Sequence, residues 1–307
     1  MVSIVLLLTI ARAGEYADAF LLASYYPQVQ ALGYSSVASR VSSGHALNNP
    51  AGFAQSQGSH ISMVYDQFDA LSSNIGLEAV IDSRSNYTYG VTLVHSMVDG
   101  LLFRPDLSGL SPGSRRDSVL ALQGSKGDPI NYREEGVFLS VARNYEFVIN
   151  LGWKFFKIPC QLPVGISVKY IDKLLVENRG LGSGIDIGSQ LIFNLAGMTS
   201  LLQNTEFAIA VFFSDILNTP VYWTTEHQDA IKRGVTTGIN VTQKLHKYDS
   251  EISLSTSRQS RYKNKRQYGF EVGIKNVIII RAGHDGFTPS LGLGIGLKKF
   301  IIDYSFS

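Results

Sequence analysis

Along most of this 307-residue chain, large apolar residues alternate one by one with small or polar residues. The pattern is clear in residues 87–93 (YTYGVTL), 291–297 (LGLGIGL) and 300–306 (FIIDYSF). A period of two places successive side chains on opposite faces of a β-strand, so each of these segments has one apolar face. The sequence therefore predicts an all-β fold whose apolar faces require either a packed core or a lipid environment.

The composition of the face opposite the apolar one favours a lipid environment over a packed soluble core. It is rich in Gly, Ser, Thr and Asn, whereas a soluble sheet usually carries charges of both signs on its wet face. Charged residues make up 17% of the chain, below the usual share of about a quarter. The mean hydropathy of +0.07 is too low for a bundle of membrane-spanning helices. We therefore predict a membrane β-barrel, with apolar side chains toward lipid and polar side chains toward the lumen.

Turn residues separate the alternating segments and define the predicted strands. We predict fourteen of them, at 59–67, 73–82, 87–97, 134–143, 147–157, 163–175, 181–193, 206–215, 231–244, 248–258, 266–274, 276–283, 288–297 and 299–306. Most reach the roughly 9–11 residues that a tilted spanning strand needs. The segment 147–157 is the least regular and could instead be a helix or a loop. The strand count is even only if this segment is a strand. An even count places both ends of the barrel chain on the periplasmic side.

The predicted strand order also assigns the connections to the two sides of the membrane. Residues 98–133 form the longest irregular stretch and are expected on the extracellular side, where long loops belong. The same order places the hairpins that contain Lys247, Lys275 and Lys298 outside, and makes 216–230 a long periplasmic connection. Short extracellular hairpins and a long periplasmic connection are unusual for a barrel, so the C-terminal half fits this architecture less well than the N-terminal half.

The N-terminus indicates export. Residues 3–10 (SIVLLLTI) form an apolar stretch too short to span a bilayer, and residues 11–14 (ARAG) follow it as an A-x-A cleavage site. No Lys or Arg precedes the stretch, and a buried N-terminal strand is the alternative. We predict a signal peptide over residues 1–13.

Residues 14–57 differ from the rest of the chain because small residues dominate and regular alternation is missing. We predict that they form a separate N-terminal segment before a transmembrane barrel over residues 58–307. Within that segment, Pro50 fixes its own φ and disfavours the helical conformation at Asn49, whose side chain can bond to nearby backbone groups. A simple tight turn before the first strand is the alternative.

The chain resembles the PorV/PorQ family, part of the larger class of FadL-like outer-membrane transporters. The blocks that carry the resemblance are 31–38 (ALGYSSVA), 49–53 (NPAGF), 280–284 (IRAGH), 291–295 (LGLGI) and 302–306 (IDYSF). His284, Tyr34 and Ser307 depart from the pattern and leave the subfamily open. The resemblance implies a fourteen-stranded antiparallel barrel in the bacterial outer membrane, surrounded by its lipid. It also implies an inward-folded hatch that holds Asn49, Pro50, Ala51 and Gly52.

No residue pattern indicates catalysis, a cofactor or nucleic-acid binding. The six histidines lack metal-ligand spacing, and the one cysteine, Cys160, excludes an intramolecular disulfide. A net charge of +2 gives no basic surface for nucleic acid. The polar residues expected in the lumen are Glu78, Asp186, Glu271 and Arg281. We expect the carboxylates to pair with Lys169, Lys244 or Arg281 in a structural network, and we predict that the protein is not an enzyme.

Two functions follow from the resemblance. The first is a barrel of type IX secretion that binds exported proteins or components of the secretion system. It predicts a firmly plugged lumen and a docking loop over 98–133 that contains Arg104, Arg115 and Arg116. The second is a FadL-like transporter for long-chain fatty acids or other hydrophobic small molecules, which predicts an apolar pocket behind the hatch and a broken wall strand. A purely structural barrel is a third possibility.

Overall fold

A computed structural model describes residues 18–22, 25–67, 72–83, 86–99, 107–123, 130–152, 157–195, 204–261, 265–275 and 277–307. The predicted signal peptide, residues 1–13, and Arg104 of the predicted docking loop lie outside the described residues.

The described residues are dominated by one antiparallel β-sheet of fifteen strands. These are β1 (His60–Gln67), β2 (Ser72–Asp82), β3 (Tyr87–Val98), β4 (Tyr132–Asn150), β5 (Lys157–Leu175), β6 (Asn178–Asn194), β7 (Thr205–Ser214), β8 (Thr219–Trp223), β9 (Gln228–Ile231), β10 (Gly234–Leu245), β11 (Ser250–Gln259), β12 (Arg266–Ile274), β13 (Ile278–His284), β14 (Pro289–Leu297) and β15 (Phe300–Phe306). The α-helices are α1 (Pro27–Ala31), α2 (His45–Asn48) and α3 (Pro112–Gln123). Short 3-10 helices lie at Ala19–Leu22, Ser36–Ala38, Pro50–Gln55 and His246–Tyr248.

Thirteen strands lie on one continuous path, in which each strand pairs with the next along the chain except that β7 pairs with β10. The remaining two, β8 and β9, form a hairpin that pairs with β6. Neighbouring strands on the path are antiparallel, so its first and last strands, β1 and β15, run in the same direction. Each of these two edge strands has one hydrogen-bonded neighbour within the described residues.

The predicted alternation produces two different faces. In β3, every second residue from Thr88 to Val94 is buried and every second residue from Tyr87 to Leu93 is exposed. We call the buried side the inner face and the opposite side the outer face. All thirteen strands of the path place a large exposed apolar side chain on the outer face: Met63, Leu77, Leu93, Leu139, Val168, Ile187, Ile209, Ile239, Leu254, Phe270, Ile280, Leu293 and Tyr304.

The described part of residues 14–57, hereafter the N-terminal segment, packs on the inner face. Tyr26 lies against Gly76 of β2. Gln30 Nε2 donates to Ser307 Oγ directly after β15, at 2.8 Å. Tyr26 and Gln30 are only four residues apart, yet they contact opposite ends of the strand path. The sheet is therefore rolled around the N-terminal segment.

The predicted strand at 147–157 is wrong, and so is the count of fourteen. The strand β4 continues to Asn150, and β5 begins at Lys157 and pairs with β4 along its whole length. The chain turns at Gly152, where φ is +78°. The segment 216–230, predicted as a connection, contains β8 and part of β9. Their partner β6 is distant in the sequence, which is why local alternation did not reveal them.

Removing the false strand changes which connections lie together. The connections 99–131 and 215–233 share one end of the sheet, which we call the loop end. The turns that contain Lys247, Lys275 and Lys298 share the opposite end, the turn end. The predicted placement of 216–230 opposite 98–133 is therefore wrong. Residues 98–133 are also less irregular than predicted, because they contain α3.

Candidate functional site

The predicted hatch motif lies at the centre of the N-terminal segment, and all four of its residues are buried. Asn49 has an extended backbone, with φ −167° and ψ 112°, directly before the 3-10 helix that Pro50 begins. Its Oδ1 accepts a hydrogen bond from Ala51 N at 3.0 Å, and its Nδ2 donates to Val37 O at 3.0 Å. The Asn49 side chain thereby caps one 3-10 helix and binds the backbone of the 3-10 helix Ser36–Ala38, so it holds two parts of the segment together.

Glycines on the inner face let the segment approach the strands closely. A Cβ atom added to Gly165 of β5 would overlap the Pro50 carbonyl, and one added to Gly188 of β6 would overlap Asn49 Oδ1. The motif therefore lies directly on the backbone of two neighbouring strands. The inner-face glycines of the sequence pattern make this contact possible, because any larger residue would displace the segment.

A buried pair joins the segment to β2. Glu78 Oε1 accepts from Gly44 N at 2.9 Å and lies 2.7 Å from His45 Nδ1. Glu78 Oε2 accepts from the Thr92 hydroxyl at 3.0 Å. His45 Nε2 lies 3.1 Å from the Val41 carbonyl. Because a carbonyl can only accept, Nε2 carries a proton, and a second proton is held between Nδ1 and the Glu78 carboxyl group.

A second buried network lies nearer the loop end and contains the predicted residue Asp186. Lys169 Nζ lies 2.9 Å from Asp186 Oδ1 and 2.6 Å from Asp215 Oδ1. Arg261 binds Asp215 at 2.9 Å and Asp18 of the N-terminal segment at 2.5 Å. All five side chains are at most 10% exposed. This network fixes the start of the segment to the strands, and the expected pairing of Asp186 with Lys169 is observed.

The predicted residues Glu271 and Arg281 also pair. Arg281 Nε binds Glu271 at 2.5 Å, and its Nη1 binds Asp303 of β15. The pairing joins β12, β13 and β15 on the inner face beneath α1. Lys244, the other expected cation, makes no ion pair among the described residues.

Aromatic side chains of the segment fill the space between these charged groups. Phe20, Tyr25, Tyr26 and Phe53 are buried in one cluster with apolar residues of β2–β5 and of the β8–β9 hairpin. Burial raises the pKa of the Tyr25 and Tyr26 hydroxyls above the usual range, so both are neutral at physiological pH. The apolar interior is thus occupied by the chain itself.

A cavity remains between the segment and the strands β7–β12, toward the turn end. Its lining is mostly polar: Leu32, Ser39, Arg40, Glu206, Thr242, Glu251, Ser253 and Glu271. Arg40 crosses from the segment to Glu206 at 2.8 Å. Three carboxylates and one guanidinium make this cavity unsuitable for an aliphatic ligand.

The predicted docking residues lie away from the segment. Arg115 and Arg116 are exposed on α3, at the loop end. The Arg115 guanidinium donates to the carbonyls of Ser108 and Leu110, both at 3.3 Å. The structure therefore separates two candidate regions, the packed interior and the loop-end surface.

Several residues of the interior could not be predicted from the sequence. His45, Asp18 and Arg261 belong to no local motif, and their partners lie 33 to 243 positions away. The one indication in the sequence that His45 could belong to the site is its position four residues before Asn49, within the N-terminal segment.

Comparison of the sequence with models of known protein families and with curated proteins found no match. Within the described residues, every helix is too short or too polar to cross a bilayer. The described residues also contain no cluster of three or more His, Cys, Asp or Glu side chains that could hold a metal ion.

The close approach at Gly165 yields a testable prediction. In Gly165→Ala the new methyl group overlaps the Pro50 backbone, so we expect a loss of about 1–3 kcal/mol in the free energy of unfolding. Urea titration of the folded protein measures it, and limited proteolysis reports release of the N-terminal segment. Gly273→Ala is the matched control, because nothing lies within 4 Å of a Cβ at that inner-face glycine. Equal effects of the two substitutions would contradict close packing at Gly165.

The His45–Glu78 pair yields a second prediction. Removing one partner leaves the other buried without its counter-charge, so His45→Leu and Glu78→Leu should each cost about 3–5 kcal/mol. The double variant should cost clearly less than the sum of the two. A double-mutant cycle by urea unfolding measures the coupling. Strict additivity would show that the pair does not act as a unit.

Proposed function

We propose that the protein is an outer-membrane β-barrel of the PorV/PorQ type, plugged by its N-terminal segment, that binds exported proteins of type IX secretion at its loop end. The single observation that carries the proposal is a sheet with a predominantly apolar outer face, rolled around a segment that buried charges fix in place. Each part of the proposal has its own support.

The outer face supports a membrane location. Exposed apolar side chains come from all thirteen strands of the path, and many of them are directly paired, as in Met63 with Leu77 and Leu139 with Val168. Soluble monomers rarely expose continuous apolar patches larger than about 300–600 Å². A belt of this kind is stable in the hydrocarbon of a bilayer, with the polar inner face turned toward the lumen.

Bilayer energetics also support closure of the sheet. Backbone groups left unpaired at a sheet edge cost several kcal/mol each in hydrocarbon, so spanning sheets close into barrels. The edges that must be joined are β1 and β15, which run in the same direction.

The contacts of the N-terminal segment support a permanent plug over a gated transporter. Charged contacts fix the segment at three separate places: His45 binds β2, Arg40 binds β7, and Asp18 binds the connection after β11. Two of these contacts are buried, and separating a buried pair costs several kcal/mol. A hatch that opens for each ligand would have to break them together with the packing on glycines. The polar cavity beneath the segment also supports a permanent plug over a transporter, because its charged lining does not suit a fatty acid.

The loop end is the proposed docking surface. It carries the long connections 99–131 and 215–233, with α3 and the β8–β9 hairpin, whereas the turn end carries mostly short hairpins. Long loops on a rigid scaffold are the usual place for recognition. Arg115 and Arg116 are the exposed cations of this surface that the sequence singled out.

The membrane location can be tested with a charge on the outer face. Leu139 is 59% exposed near the middle of β4. We expect Leu139→Arg to destabilise the protein folded in lipid vesicles by about 2–4 kcal/mol, because arginine is costly at the bilayer midplane. Leu120→Arg on α3, also at an exposed leucine, is the control and should have almost no effect. Equal, small effects of both variants would contradict a lipid-facing outer face.

Partner binding can be tested with charge reversal. The tagged barrel should co-purify exported proteins that carry type IX C-terminal domains. We expect Arg115→Glu with Arg116→Glu to reduce capture at least about tenfold, since charges at a rim govern encounter and orientation. Lys298→Glu with Lys299→Glu makes the same charge change at the opposite end and should leave capture intact. If the purified barrel contained a long-chain fatty acid and captured no protein, the result would favour the alternative function of a transporter.

A further inference from the structure

Four lysines line one side of the turn end. Lys247 lies in the connection between β10 and β11, Lys275 between β12 and β13, and Lys298 with Lys299 between β14 and β15. These connections follow one another along the turn end, because β10 to β15 are consecutive in the sheet. Neighbouring strands are about 4.8 Å apart, so the three turns are spaced about 10 Å from one another. We call these four residues the lysine rim.

The lysine rim carries a net positive charge. All four side chains are exposed, and none makes an ion pair with a described residue. The sequence of the three turns contains one acidic residue, Asp249. At the opposite end of the same strands, by contrast, Arg261 and Lys265 are paired with carboxylates.

Two of the lysines occupy costly backbone positions. Lys275 and Lys298 have φ of +53° and +49°, in the left-handed region. Gly or Asn adopts this conformation more easily, and other residues lose roughly 1–2 kcal/mol there. The turn geometry alone would therefore favour Gly or Asn, and a long cationic side chain stands there instead.

The lysine rim adjoins the apolar outer face. Exposed apolar residues lie next to it in the same turns and strand ends: Tyr248, Ile274, Val277, Leu297 and Phe300. Lys247 Nζ lies 5.5 Å from the centre of the Tyr248 ring. Lysine and aromatic side chains together are typical of the level where hydrocarbon meets the head groups, since the lysine stem stays in the apolar layer and the ammonium reaches water.

We propose that the lysine rim binds the phosphodiester groups of anionic phospholipids in the leaflet that surrounds the turn end. The inference rests on the proposed membrane location. A lipid fits better than an acidic protein because its acyl chains can lie on the outer face while its phosphate meets the ammonium groups. A row of point charges attracts phosphate without requiring one orientation, which suits a mobile head group.

Native mass spectrometry of the full chain, folded in detergent and titrated with phosphatidylglycerol or phosphatidylcholine, tests the proposal. We expect the wild type to retain phosphatidylglycerol at least about tenfold more strongly, because each lysine near an anionic surface contributes. Lys247→Gln, Lys275→Gln, Lys298→Gln and Lys299→Gln combined should abolish this preference. The matched control replaces four cations at the loop end by Gln and should keep the preference for phosphatidylglycerol. These cations are Lys232, Arg233, Lys265 and Arg266.

Several outcomes would overturn the proposal. These are equal retention of the two lipids by the wild type, a preference that survives in the four-lysine variant, and displacement of the lipid by inorganic phosphate at equal concentration. Binding of an acidic protein to the lysine rim without any lipid preference would also overturn it. Heat-modifiable migration on gels verifies that each variant is folded. A chain that fails to insert into phosphatidylcholine vesicles contradicts the proposed function itself, whereas insertion without lipid preference contradicts only this inference.

Discussion

The contact between the N-terminal segment and the inner face is the interaction on which the rest of the structure depends. It buries aromatic side chains such as Phe53 between strands that would otherwise enclose an empty interior. It gives buried groups such as Glu78 and Arg261 their partners. Inner-face glycines such as Gly165 and Gly188 make room for the segment, which occupies the space that side chains would fill. The rolled sheet and its interior segment therefore form one unit.

The same contact explains why the two faces and the two ends of the sheet differ. Because the interior is filled from within, our proposal assigns lipid contact to the apolar outer face and recognition to the ends. The loop end has long connections, and two of its cations are paired with carboxylates. The turn end has mostly short hairpins and lysines that make no ion pair with described residues. This asymmetry is the physical basis for placing a protein partner at one end and lipid head groups at the other.

The two faces of the strands were predictable from the sequence. In β3 and β14 the large apolar residues of the pattern are exposed and the residues between them are buried or half-buried, because alternation is local and has a fixed period. The strand count was not predictable. Residues 147–149 are all apolar and interrupt the alternation, so the sequence does not show that β4 continues to Asn150. That one error reversed the assignment of every later connection to an end.

The strand-rich fold, the faces of the strands and the small-residue segment that precedes them follow from the sequence, since each depends on neighbouring residues. Which distant groups meet depends on the tertiary structure. His45 reaches Glu78 and Asp18 reaches Arg261 because the sheet rolls around the segment. The lysines of three separate turns form one rim because antiparallel pairing returns the chain to the same end. Such contacts depend on how strands pair and curve together, which no local pattern encodes.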